Sequence, residues 1–179
     1  TATLDEASVA GYGVTDAAMR LKFADRKLYI HELHARQGSG VLAATGTVPF
    51  DGGAMSAQFS SQGVAAGMLT KAFGSDLPVT GDIDLEMQFR GTVDNPIVDA
   101  SLKITDGGVA GSSFDMLTGL FWLSDGKVRL NQLLVQKAVA EKIYTASAKG
   151  EVGVKTLLHG ENWLDSNDPI DLHFMLDDA

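Results

Sequence analysis

The chain of 179 residues contains no cysteine. That excludes a disulfide scaffold, a Cys-based zinc site and a thiol nucleophile. It has only four prolines against twenty glycines, and no run of eighteen apolar residues. Neither a membrane-spanning helix nor a basic-plus-apolar leader is visible. Basic residues are scarce as well: fourteen Lys and Arg face twenty-three Asp and Glu, a formal charge of −9. Phosphate binding needs clustered cations, so no nucleic acid is expected as a partner, and no polybasic hold on anionic membranes. The chain opens at Thr1 rather than Met and reads as a segment of a longer protein.

Catalytic motifs are missing too. There is no Gly-x-Ser-x-Gly elbow, His-Glu-x-x-His or Gly-x-x-x-x-Gly-Lys pattern. Gly38-Ser39-Gly40 is too short for a phosphate loop and no helix follows it. His31 and His34 have ligand spacing on a helix, but positions i and i+3 of a strand point to opposite faces. Their neighbours Leu28, Ile30 and Leu33 suggest a strand, so solvated or edge positions are expected. His159 and His173 have no site-forming neighbours in sequence. Asp82 and Asp84 share a face, yet they continue a row with Glu86, Gln88 and Arg90 that reads as a wet surface. Trp122 and Trp163 read as core or rim anchors. The expectation is a protein that is not an enzyme, with no cofactor and no metal.

What is present is alternation. Ile83, Leu85, Met87 and Phe89 face one way, and the polar row from Asp82 to Arg90 faces the other. Ile170, Leu172, Phe174 and Leu176 repeat the pattern, as do Met19, Leu21 and Phe23. One dry face and one wet face belong to antiparallel sheets. Strands are expected near 8–14, 17–24, 27–35, 41–48, 54–60, 80–93, 98–105, 108–114, 116–124, 127–136, 143–154 and 170–177. Asp51-Gly52-Gly53, Asp106-Gly107-Gly108 and Asp125-Gly126 supply tight turns, and Asn95-Pro96 breaks the chain between strands. Residues 64–73 have helical spacing and predict a short helix, with Ser60 or Ser61 as its cap and Gly74 at its end.

The chain also repeats itself. Val9-Ala10-Gly11 recurs as Val109-Ala110-Gly111, and at the same offset Asp25, Lys27 and Leu33 match Asp125, Lys127 and Leu133. Apolar positions align between them: Leu4 with Ile104, Val14 with Phe114, Leu21 with Phe121, Phe23 with Leu123, Leu28 with Val128, Ile30 with Leu130. Four residues further out of step, Ala44 and Gly46 match Ala148 and Gly150. Such a period implies neighbouring units sharing one core. The chain thus reads as one repetitive β domain over 1–179, with unit A at 1–100 and a partial unit B at 101–179. Residues 1–48 and 101–152 should show the same strand order. Unit B is greasier: Met116, Leu120 and Trp122 stand where unit A has Asp16, Arg20 and Lys22. With the same facing, both sides of the strand at 116–123 are apolar, and its outer face is expected to be covered by another part of the chain or by a longer parent protein.

Gly91-Thr92-Val93-Asp94-Asn95-Pro96, then Ala100-Ser101-Leu102-Lys103-Ile104, then Asp106-Gly107, resembles the recurrent rhythm of the AsmA-like family, its TamB group in particular. Ala44-Thr45-Gly46-Thr47-Val48-Pro49 closes the first unit in a related way. The likeness covers nearly the whole chain through degenerate glycine and apolar positions; 62–73 and 161–169 match less. It implies a β-taco: a long, curled, mostly antiparallel sheet forming a trough with an apolar interior. It further implies a periplasmic segment of a protein anchored in the inner membrane of a diderm bacterium. Its expected partners are phospholipid acyl chains and, through the full-length chain, an outer-membrane protein of the BamA or TamA type. The residues themselves accommodate a filled sandwich or an open trough. About twelve strands at roughly 4.8 Å would span on the order of 55–60 Å.

On that reading Met19, Leu21, Phe23, Leu28 and Ile30 line the groove in unit A. Ile83, Leu85, Met87 and Phe89 form its floor, followed by Leu102 and Ile104. Phe121, Leu123, Val128, Leu130, Ile170, Leu172 and Phe174 continue it. The first functional hypothesis is a conduit carrying phospholipid between the membranes or supporting outer-membrane protein assembly. A tail needs a continuous apolar surface and no directional chemistry, and each buried CH₂ is worth about 0.8 kcal/mol. The second is a chaperone-like module binding outer-membrane strands by edge addition. A solid-core structural or adhesin repeat is a third.

Overall fold

The computed structural model describes residues 2–72, 74, 77–153 and 170–178; the side chains of 2–5, 7, 152–153, 170–172 and 177–178 lie outside that description. Among the described residues are eleven strands and one helix. In chain order they are β1 (Ala2–Val9), β2 (Tyr12–Ala24), β3 (Lys27–Gln37), β4 (Gly40–Pro49), β5 (Ser56–Ala65), α1 (Ala66–Ala72), β6 (Val79–Gly91), β7 (Pro96–Val109), β8 (Ser112–Ser124), β9 (Lys127–Val139), β10 (Lys142–Gly153) and β11 (Ile170–Asp178). They form a single sheet in sequential order, each strand antiparallel to the last, with β1 and β11 as its two edges. The all-β fold expected from the alternation is the one observed, as an open sheet and not a barrel.

Local chemistry explains the strand boundaries. Ala10-Gly11, Asp25-Arg26, Ala110-Gly111 and Asp125-Gly126 all have positive φ at both central residues. That is the two-residue hairpin turn whose twist suits antiparallel strands. The expected strands at 8–14 and 108–114 are therefore corrected: their centres are turns, and β2 and β8 begin at Tyr12 and Ser112. Asp106-Gly107-Gly108 is corrected in the opposite sense. It lies inside β7, where Asp106 (φ 50°) accompanies a register shift against β6 between Thr80 and Asp82. Gly107 is bare because a Cβ there would meet the Phe114 ring at 2.6 Å. The helix needs no serine cap, since β5 runs straight into it. Instead the Ala65 N–H donates to Gln37 Oε1 at 2.7 Å, tying the helix start to the end of β3. Gly74 (φ 78°) closes α1, its N–H donating to the Lys71 carbonyl.

The offset-100 sequence matches recur in the hydrogen-bond register. A bulge falls between Arg20 and Leu21 where β2 meets β3, and another between Leu120 and Phe121 where β8 meets β9. Ile30 lies opposite Gly46, and Leu130 opposite Gly150; both glycines are left-handed, at φ 151° and 156°. The four-residue change of offset also has a cause. From the Leu133–Ala148 pair outward, β9 and β10 each run two residues further than β3 and β4 do beyond Leu33–Ala44. The last strand of each set corresponds too, with Phe59 opposite Ala44 and Phe174 opposite Ala148.

The sheet is curled. Tyr12 on β2 packs on α1, and the same helix packs on β6, four strand spacings from β2. In a flat sheet that distance is roughly 19 Å. Side chains of α1 fill the interior between the two walls: Met68 is 1% exposed and Leu69 5%, and Val64 just before the helix is fully buried.

The repeated bulges require glycine where the strands cross most closely. A Cβ on Gly46 would come within 2.4 Å of the Ala57 Cα, at a φ that side chains rarely adopt. Gly46→Ala should therefore lower unfolding free energy by about 1–3 kcal/mol, read as a reduced urea midpoint. Gly11→Ala, whose Cβ would meet nothing within 4 Å, should cost less.

Candidate functional site: an apolar trough plugged at one end

Directly paired residues of antiparallel strands point to the same face, so the register gives the lining row by row. One row runs Val64, Ile83, Ile104, Leu117, Val135, Ala146. The next runs Leu42, Ser61, Leu85, Leu102, Gly119, Leu133, Ala148. A third runs Met19, Leu33, Ala44, Phe59, Met87, Ala100, Phe121, Leu130, Gly150. A fourth runs Leu21, Ile30, Gly46, Ala57, Phe89, Val98, Leu123, Val128. Beyond it Phe23, Leu28 and Val48 make a short fifth row in unit A. Within these rows the polar side chain is Ser61, whose Oγ is buried with no hydrogen-bond partner among the described residues.

These rows differ in exposure along the strands. Ile83, Leu85 and Ile104, expected in the groove, are 5–7% exposed and belong to the cluster packed on α1. Met87 and Leu102 are partly buried against that cluster. Phe89, Phe121, Leu123, Val128, Leu130, Leu28 and Ile30 are half-buried, away from the helix. Met19 and Leu21 are more open at 39%, and Phe23 and Phe174 are exposed. Ile170 and Leu172 pair through their backbones with Val152 and Gly150, but their side chains lie outside the described residues. The result is a trough filled at the end where β2 and β8 begin, and progressively barer toward the far end. At that far end Phe23 and Phe50 pack at 6.2 Å with rings tilted by 46°.

Several members of the buried end escaped the alternation argument. Leu42, Met68, Leu69 and Phe114 sit in the plug, and Phe50 follows β4 at the open end. Val14 and Phe114 were legible only as aligned positions of the repeat. Tyr12 packs over α1 so closely that a Cβ on Gly67 would meet its Oη at 2.6 Å. The Lys71 ammonium lies 5.7 Å from the centre of that ring.

The opposite face is polar and cross-linked by ion pairs. Asp99, Trp122, Arg129 and Glu151 stand in one row, with Arg129 over the Trp122 indole at 5.1 Å. Lys127 and Arg129 both reach Glu151, at 2.7 and 3.1 Å, and Arg90 pairs with Asp99. A depression of about 690 Å³ crosses this face over β4–β9, lined by Ser60, Asp84, Glu86, Ser101, Lys103 and Leu120 among others. Among unit B's apolar outer positions, Leu120 is 46% exposed. Leu134 and Met175 line a second shallow depression beside it. The expected opposition of His31 and His34 is corrected by the bulge, whose extra residue resets the alternation. His31 stacks on Tyr29 at 6.1 Å, and His34 lies opposite Ala18 and Ala43, on the polar face.

Three carboxylates on this face are held below their usual range. The Ala138 N–H, then Lys137, stabilises ionised Asp115; the Ser124 hydroxyl, then the Asn95 amide, does so for Asp125. Lys127, then Arg129, acts on Glu151. None of the described residues forms a cluster of three His, Asp or Glu able to hold a metal, and no described helix is long and apolar enough to cross a membrane. Comparison with family models, curated proteins and solved structures returned no match.

Two outcomes follow from this geometry. Met68→Ala, which empties the plug, should destabilise by about 2–5 kcal/mol in denaturant melts, whereas exposed Phe23→Ala should cost clearly less. A lowered carboxylate pKa adds stability above the unfolded value that disappears as pH falls through the folded one. The melting temperature should thus hold from pH 7 to about 5 and fall below about pH 4. Glu151→Gln should flatten part of that acid limb, measured by thermal melts across pH.

Proposed function

We propose that the trough holds acyl chains and forms part of a path for phospholipid between the two membranes of a diderm envelope. The observation that carries the reading is the set of continuous apolar rows on one face of a single sheet, half-buried and, among the described residues, without a covering layer beyond the helix plug. Such a surface suits a ligand that offers length and no directional groups. Each methylene transferred to it contributes about 0.8 kcal/mol. Near-equivalent rows repeated from unit A to unit B favour sliding, because no position along the strand order holds a tail much more firmly than the next. The formal charge of −9 leaves apolar contact, and not headgroup charge, as the driving term. The resemblance to AsmA-like proteins points to the same ligand and to a periplasmic setting, with an outer-membrane partner engaged by a longer chain.

Phe89 and Gln88 are neighbours on opposite faces, which makes the test local. A photo-crosslinking residue at Phe89 should capture phospholipid in intact cells, and one at Gln88 should not. Equal capture at both positions, or none at Phe89, removes the acyl-chain reading. A carboxylate placed in the trough loses hydration that the outer face would leave intact. Phe89→Asp should therefore reduce co-purifying lipid, measured by mass spectrometry, far more than Gln88→Asp.

A further inference from the structure

We infer that Asp51, in the loop joining β4 to β5, is a site of covalent backbone modification that isomerises to isoaspartate while the chain stays folded. Three Asp-Gly steps occur in the sequence, at 51–52, 106–107 and 125–126. In each, glycine carries no side chain to hinder attack of its nitrogen on the aspartyl Cγ. An N–Cγ bond forms and the bond from Cγ to the carboxyl hydroxyl breaks; the hydroxyl leaves with the N–H proton as water. Water then adds at the backbone carbonyl of the five-membered imide and breaks the bond from that carbon to nitrogen. The chain now runs through the side-chain carbons. No electrons are transferred, and water is the sole co-reactant. Ring closure needs a carboxyl that is protonated and unrestrained, and an Asp-Gly backbone that can turn.

The fold permits this at one step and opposes it at two. Gly107 is buried inside β7 and paired with Phe114 of β8, so closing the imide at Asp106 would disrupt the ladder. Asp125 has both oxygens engaged: Oδ2 accepts from the Ser124 hydroxyl at 2.9 Å and Oδ1 from the Asn95 amide at 3.3 Å. Those bonds favour the ionised carboxylate, which has no hydroxyl to lose. Asp51 and Gly52 are exposed and lie outside the strands, with Gly52 at φ 82°. Among the described residues the Asp51 carboxyl takes one hydrogen bond, from the Gly53 N–H to Oδ1 at 3.1 Å. That donor draws electron density from Cγ and leaves the Gly52 nitrogen unobstructed. The loop is also pinned on either side: the Phe50 N–H donates to the Arg26 carbonyl and the Met55 N–H to the Gly91 carbonyl, both at 2.7 Å. The extra backbone carbon is taken up between these two anchors, at a loop tip, and the register of β4 with β5 is kept.

The whole folded chain is aged at neutral pH and physiological temperature, digested with trypsin, and its peptides are separated and fragmented by electron transfer, which tells isoaspartate from aspartate of equal mass. Isoaspartate should accumulate at Asp51 about tenfold or more faster than at Asp106 or Asp125. In guanidinium chloride, where the strand pairing and the Ser124 and Asn95 bonds are gone, the three rates should converge. Asp51→Glu, whose ring closure would be six-membered, should remove the signal from its peptide and so fix the assignment. Comparable rates at the three steps of the folded chain overturn the proposal. So does absence of isoaspartate at Asp51 when the unfolded chain forms it, or an excess at Asp51 that persists in denaturant. The assay contains no lipid, so its result is separate from that of the acyl-chain experiment.

Discussion

A single sheet with one apolar face has to hide that face from water without a second sheet to cover it, and the rest of this structure depends on how that is done. The sheet curls until Tyr12 of β2 packs on the short helix between β5 and β6, and that helix fills the space enclosed there. Burial is deepest there: Val64, Ala66 and Met68 are at or near zero exposure. Seven helical residues cannot fill a trough eleven strands long. Beyond the plug the rows are merely half-buried, and at Phe23 and Phe174 they are bare. The same constraint that closes one end leaves apolar surface uncovered by described residues at the other.

The polar face is organised to keep the sheet single. Its ion pairs are solvent-exposed and each contributes little alone. Together Asp99, Arg129, Lys127 and Glu151 put charge across β7, β9 and β10, where a second sheet would otherwise find an apolar surface. Around Leu120 that charge gives way to leucine and methionine, where unit A has Arg20 at the matching position.

The fold was largely legible because its signal is periodic. Alternation at Ile83–Arg90 placed β6 with its correct facing, and the spacing at 64–73 marked α1. The repeat anticipated the shared register of the two halves, down to glycines at 46 and 150. Misreadings came where backbone conformation overrides pattern. Ala10 and Ala110 adopt left-handed turns without the usual Asn or Asp, and Asp106-Gly107 makes a bulge where a turn was expected. A bulge at His31 also undid the face assignment of two histidines. The division of the trough into plugged and open parts was not legible, because Leu85 and Phe89 carry the same alternation and only the helix distinguishes them. That division decides which of the expected lining residues are packed core and which remain available.

The central claim is that the half-buried rows beyond α1 receive acyl chains while the adjacent outer face does not. Positions 121 and 122 lie on opposite faces one residue apart. Tryptophan fluorescence can therefore compare the faces directly in two chains. One retains Trp122 with Trp163 replaced by Phe; the other has Phe121→Trp with both native tryptophans replaced by Phe. With lipid brominated along its acyl chain, the account predicts strong, saturable quenching of tryptophan at 121 and little at 122. Equal quenching at both, or stronger quenching at 122, would contradict it.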